Sequence, residues 1–283
     1  MIAVLGGLGA ACAFATAMLC SSRSARMIGS YSALSFVMLV GLAITVPWTV
    51  AVGVPDELGA RAFGWLLVSG AGNVVGLLLS YSALRVGKVG IVAPIVSTEG
   101  AIAAVIAVLA GESIAPGAGV TLAVIVAGIV LAGITQAGGN TATAGSGGRT
   151  TLLAIAAALA FGASLYATAR VSEELPLVWA ILPARVIGVV AVAVPLFLSS
   201  RLLLTRPALP LVVTSGVAEI VGFGLFALGS RHGIAVSAVL ASQFAGIAAV
   251  VAFFLFRERL ARVQIAGVVV IVAGVAVLSW LQA

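Results

Sequence analysis

The chain has 283 residues, of which 63% are hydrophobic and 8% charged. A globular domain carries about 25% charged residues, so this chain cannot cover a water-facing surface. Its formal charge of +6 comes from Arg and Lys set singly or in small groups between apolar segments, where they orient helices in a bilayer; it is not a nucleic-acid footprint.

Apolar runs of about 18 or more residues recur along the chain, each long enough to cross a hydrocarbon core about 30 Å thick as a helix. The short alternating segments of a porin are absent. In chain order the runs predict about ten helices: Ile2–Cys20, Ser32–Val52, Ala62–Leu84, Gly90–Leu109, Gly119–Ala137, Leu152–Thr168, Leu177–Ser199, Ala208–Leu228, Ile234–Phe256 and Val263–Trp280. The expected fold is therefore an all-α polytopic membrane protein. The first run contains Ala11-Cys12-Ala13 and Ala15-Thr16-Ala17, which suit a signal peptidase, but it lacks a basic leader and is followed by Arg23 and Arg26. A retained first helix is expected. Cys12 and Cys20 lie too far apart on it to bond to each other, and His232 cannot build a metal site unaided. Neither cofactor nor metal is expected.

Most loops are short, so successive helices are antiparallel neighbours. The exception is Gly138–Thr150, rich in Gly, Ser, Thr, Ala and Asn, a composition that predicts a flexible linker. It joins two copies of one unit. Val124-Ile125-Val126-Ala127-Gly128 returns as Val270-Ile271-Val272-Ala273-Gly274, a separation of 270 − 124 = 146. Gly87 and Gly233, and Glu112 and Glu258, share that separation; Phe14 matches Phe161 at 161 − 14 = 147 and Pro47 matches Pro195 at 195 − 47 = 148. The expected units are residues 1–137 and 151–283, joined by 138–150. Five helices per unit, an odd number, make the second copy enter from the opposite side. Such inverted repeats are common in secondary transporters, which bind substrate near the midplane where the copies meet. Counted from the N-terminus, the odd loops hold Arg23, Arg26, Arg85, Lys88, Arg149, Arg201, Arg206, Arg257, Arg259 and Arg262, and the even ones Arg61, Arg170 and Arg231. The positive-inside rule then places both termini outside.

The first copy reads Ala83-Leu84-Arg85-Val86-Gly87, Val92-Ala93-Pro94, Gly111-Glu112-Ser113-Ile114 and Ala127-Gly128. The second reads Arg257-Glu258-Arg259-Leu260 and Ala273-Gly274, with Ser230-Arg231-His232-Gly233 at the first turn. With these motifs most of the chain resembles the EamA branch of the drug/metabolite transporter superfamily. The resemblance implies ten helices in two inverted five-helix halves around a central cavity. It also implies a carrier of small metabolites such as amino acids or amphiphilic drugs, commonly proton-driven. Ser113 departs from the Gly-Glu-Arg-Leu-like turn, and Leu240 stands opposite Pro94.

Charges inside spans matter most, because an ionisable group at the bilayer centre costs at least about 2.5–3.5 kcal/mol. Glu99 and Glu219 lie midway along their spans and are proton-coupling candidates, since burial disfavours the charged carboxylate; an interhelical hydrogen bond is the plainer reading. Glu219 has a third reading, as partner of Arg185 on the preceding helix. Arg185 is a substrate-binding candidate for a carboxylate or phosphate through its planar fork, or else a residue that snorkels to the interface. Gln243, Asn73 and Tyr81, with Ser80, are weaker substrate-binding candidates, because such groups often only join helices. Pro94 is a helix-break candidate five residues before Glu99; Pro47 and Pro195 can act likewise. Trp48, Trp65, Trp179 and Trp280 suit an interfacial belt, and Glu112 and Glu258 suit capping or pairing in turns.

The leading expectation is a secondary active transporter that moves a small organic metabolite across the bacterial cytoplasmic membrane by alternating access, as proton-coupled efflux. Its partners would be substrate, protons and lipid, with no nucleic acid, as monomer or homodimer. The alternative is an intramembrane lipid-modifying enzyme or lipid-carrier flippase; the enzyme would want clustered acids, a Ser/His pair or a His-based metal set. The chain shows no acidic cluster inside a span, so it is read as no enzyme.

Overall fold

The computed structural model of the protein describes residues 2–55, 58–110, 144–172, 175–230, 241, 244–255 and 262–281, with 120, 121, 124, 127 and 128. Every regular element among them is helical. Among the described residues six helices are long and apolar enough to cross a membrane, and two apolar stretches, Phe244–Leu255 and Ile265–Gly274, are shorter. Large apolar side chains such as Leu5, Val50, Phe63, Phe197 and Phe254 point outward from the bundle. An apolar exterior of this kind suits hydrocarbon rather than water.

Helix α1 (Ile2–Ile28) outruns its predicted end at Cys20 by two turns. Gly29 alone separates it from α2 (Ser30–Val52), at φ +84, the left-handed region that favours glycine. Gly53, at φ +80, ends α2 in the same way, and the Trp179 indole N–H donates to its carbonyl at 2.9 Å. Helix α3 (Ala60–Val86) is closed by Arg26, which donates to the Leu84 and Gly87 carbonyls. A cation there meets the negative end of the helix dipole.

The predicted fourth helix is two: α4 (Val89–Val96) and α5 (Glu99–Leu109), with a turn at Ser97 and Thr98 between them. All eight residues of α4 are buried. The predicted linker is also shorter than expected. Helix α6 (Ala144–Ser172) begins inside it, and Thr150 is buried against Gly87, so contact with the bundle overrides a weak helical composition. Residues 138–143 lie outside the described residues.

Helix α7 (Leu177–Gly188) continues through a π-helical turn, Val189–Ala193, into α8 (Val194–Leu198). Pro195 has no N–H to give, and the Val194 N–H reaches back five residues to the Val189 carbonyl. The remaining elements are α9 (Leu209–Ser230), α10 (Phe244–Leu255) and α11 (Arg262–Leu281).

The two most extensive helix interfaces are α1 with α9 and α3 with α6. Their contacts match one for one at the separations found in the sequence. The Phe14 ring lies over Gly222 and the Phe161 ring over Gly76, with 222 − 76 = 146 and 161 − 14 = 147. The hydroxyls of Ser21 and Ser215 meet at 2.6 Å, and those of Ser69 and Thr168 at 2.6 Å; here 215 − 69 = 146 and 168 − 21 = 147. Gly70 packs on Ala184 and Ile187, and Gly216 on Val37 and Val40. The π turn also accounts for the drift in spacing. Gly41 and Gly188 are separated by 188 − 41 = 147 but Pro47 and Pro195 by 148, because a π turn is an α-helix with one residue inserted.

A Cβ at Gly222 would strike the Phe14 ring, whereas at Gly224 it would meet nothing within 4 Å. Gly222→Ala is therefore expected to destabilise the protein by about 1–3 kcal/mol, and Gly224→Ala to leave it unchanged or slightly more stable. Thermal unfolding of the purified variants in detergent checks both.

Candidate functional site

Arg185 lies in the third turn of α7 and is 1% exposed, one of the largest fully buried side chains. A guanidinium in such a place needs a counter-charge. Glu219 on α9 supplies it: Nη1 donates to Oε2 at 2.5 Å. Nη1 also lies 3.6 Å from the Met38 sulfur on α2. The stem of Arg185 crosses α2 at Gly41, where a Cβ would collide with it, and Met38 crosses α7 at Gly188 in the same manner. The snorkelling reading of Arg185 is thus corrected, since the head stays inside the bundle, held by Glu219.

Hydroxyls extend the site on one side. Ser215 precedes Glu219 by one turn on α9; it donates to the Ala17 carbonyl at 3.1 Å and shares the contact with Ser21. The Tyr81 hydroxyl, on α3, lies beside Ser21 and Ser215 and near the charges of Arg185 and Glu219. Four helices of the first half of the chain and of the second, α1, α3, α7 and α9, therefore converge here, with α2 as the floor.

Arg185 uses only part of its donor set. Nη1 is engaged end-on, and Nε is buried with no hydrogen-bond partner among the described residues. About seven residues further along the same three helices, some 10 Å at 1.5 Å per residue, a cavity of about 350 Å³ opens. Its lining includes Trp48 and Val52 of α2, Pro176 and Val178 at the start of α7, and Gly224 and Leu228 of α9.

The other candidates sit elsewhere. Asn73 on α3 is four residues past Ser69, and its Oδ1 is buried without a partner among the described residues. Glu99 opens α5 just beyond the turn at Ser97 and Thr98, partly buried, with its backbone against Gly162 of α6. The turn is closed by Ser97 Oγ donating to the Pro94 carbonyl at 2.8 Å and Thr98 Oγ1 to that of Ile95 at 2.7 Å. A carboxylate at that position faces the positive end of the α5 dipole. Glu99 is not part of the Arg185 cluster. Gln243 lies outside the described residues, as do Glu112, Glu258 and His232.

Sequence reasoning singled out Arg185, Glu219 and Tyr81, which the fold brings together, but not Ser21, Ser215, Met38 or Gly41. The signal for the serines was present: Ser69 and Ser215, and Ser21 and Thr168, are polar pairs at the repeat separations. By the same separations Arg185 stands opposite Met38 and Glu219 opposite Asn73, since 219 − 73 = 146. The ion pair belongs to one half only.

Breaking such a pair strands a buried charge, so Arg185→Met should cost about 3–5 kcal/mol of stability. The double variant Arg185→Met/Glu219→Asn installs the residues of the first half and should regain most of that loss, as read by thermal unfolding.

Residues 1–134 match the EamA-like transporter family. A solved crystal structure superposes with a TM-score of 0.66 at 18% sequence identity, covering 99% of this chain and 98% of that one; at this identity the likeness is one of fold. No curated protein matches the chain in sequence.

Proposed function

We propose that the chain, whose residues 1–134 match the EamA-like transporter family, is a secondary active transporter of a small organic metabolite within the drug/metabolite transporter superfamily. It works by alternating access about the Arg185–Glu219 pair, with proton coupling through Glu219 and Glu99 and efflux as its direction. The reading takes the chain as ten spans in two inverted five-helix halves, with both termini outside.

One observation carries it. Arg185 touches Met38, the residue 147 positions earlier, which is its own counterpart by the repeat spacing. Two counterparts in contact lie at the axis that relates the halves. In an inverted repeat that axis runs in the membrane plane, so the pair sits near the midplane, where such carriers bind substrate. Ionisable groups at that depth are expensive and mark substrate or ion pathways. The matched contacts of α1 with α9 and α3 with α6 support the same axis. The cavity over α2, α7 and α9 gives access from one end, and the hydroxyls of Ser21, Tyr81 and Ser215 line the other.

The test uses proteoliposomes holding a pH-sensitive dye, challenged in turn with amino acids, nucleosides, sugars, polyamines, monocarboxylates and cationic dyes. One class is expected to move protons with it, and Glu219→Gln or Glu99→Gln to abolish that movement. Transport driven by a pH gradient that survives both substitutions would contradict proton coupling at these sites.

A further inference from the structure

We propose that the substrate is a small monocarboxylate with an apolar body and no amine, whose carboxylate displaces Glu219 from Arg185 while Glu219 takes up one proton. This rests on the transporter reading above and names its substrate class.

The geometry of Arg185 is the first reason. A guanidinium offers five donors, and its flat edge from Nε to Nη2 accepts a carboxylate through two parallel hydrogen bonds. Here Glu219 occupies only Nη1, while Nε is buried and without a partner among the described residues. A buried donor left unmade is destabilising, and the great majority of buried polar groups do find partners. The missing partner is an acceptor that reaches the flat edge, and a carboxylate fits that edge best.

Charge balance is the second. As it stands the site is neutral, one guanidinium to one carboxylate. A second carboxylate would leave a net negative charge in a place where desolvation strongly disfavours an unpaired ion. The described contacts around the pair are with uncharged groups. From α1 it meets Ser21, from α2 Met38 and Gly41, from α3 Tyr81, and from its own helix α9 Ser215. The cations of these elements stand near helix ends, as Arg26 does on the carbonyls that close α3. Neutrality is restored only if Glu219 becomes a carboxylic acid. As an acid it can donate to Ser215, Tyr81 or the incoming carboxylate.

The cavity is the third. Trp48, Val52, Pro176, Leu177, Val178 and Leu228 give it apolar walls, and among the described residues that line it there is no anion to hold an ammonium group. The proposed substrate lays its apolar body in the cavity and turns its carboxylate toward Arg185. The loaded carrier is electroneutral, so a carboxylate made inside the cell can leave down its own gradient with the proton accompanying it.

Isothermal titration calorimetry on the purified full-length protein in detergent tests this, with hexanoate and phenylacetate as probes against hexanamide, phenylacetamide and phenylalanine. Titrations in two buffers of different ionisation enthalpy give the proton count. The carboxylates are expected to bind with about one proton taken up each, and the amides at least tenfold more weakly. Glu219→Gln should bind the carboxylates with no proton uptake, and Arg185→Lys, which keeps the charge but loses the fork, should weaken them at least tenfold. Amides that bind as well as acids, an absent proton count in the unaltered protein, or uptake that persists in Glu219→Gln would each overturn the proposal. Phenylalanine binding more tightly than phenylacetate would overturn the exclusion of an amine. The two readings fail separately. If another class crosses proteoliposomes while carboxylates do not bind, the carboxylate assignment falls and the transporter stands; if carboxylates bind but do not cross, transport falls and the site stands.

Discussion

One buried guanidinium constrains the centre of this molecule. Arg185 is 1% exposed, in a bundle whose exterior is hydrocarbon-like, and an unpaired cation there would cost more than most folds can bear. Its neighbours are those that make the position tenable: a carboxylate on α9, a polarisable sulfur on α2, and a glycine that lets the stem cross that helix without a collision. Three helices are thereby held in one register. A buried pair is weak support for stability when set against well-packed apolar side chains. The first half fills the equivalent places with Met38 and Asn73 and stays uncharged.

Around that centre the bundle is built twice from the same contacts. An aromatic ring over a glycine, a hydroxyl pair at 2.6 Å and a glycine on a helix backbone each occur once between α1 or α2 and the second half, and once between α3 and the second half. Small residues allow this close approach, and close approach is what joins helices where lipid is as apolar as the helices themselves. The π turn at Val189–Ala193 is the main local departure. It lies immediately after Gly188, so α8 is rotated relative to α7 just beyond the level of the ion pair.

Much of this was legible in the sequence. Arg185, Glu219 and Glu99 stand out because a formal charge violates the apolar pattern around it. The spans are legible because every crossing needs about twenty apolar residues. What stayed hidden is of two kinds. Ser21 and Ser215 look like any hydroxyl in a membrane helix, able to bond to a backbone carbonyl of their own helix, and only the fold shows them facing each other and Tyr81. Local composition also misled at 144–150, where Gly and Thr read as linker but contact with Gly87 holds a helix. Pro94 was visible as a helix breaker, yet the interruption falls at Ser97 and Thr98, whose side chains turn back to close it.

In the proposed transporter the Arg185 site is reached alternately from the two sides of the membrane. Met38 touches Arg185, so a thiol placed there reports access directly. Met38→Cys, in a background with Cys12 and Cys20 replaced by serine, would be reconstituted in liposomes. A small membrane-impermeant thiol reagent would then be applied from outside or trapped within. Labelling from either side, with the two rates changing in opposite directions when a pH gradient is reversed, is the predicted result. Labelling from one side only, under both gradients, would contradict it.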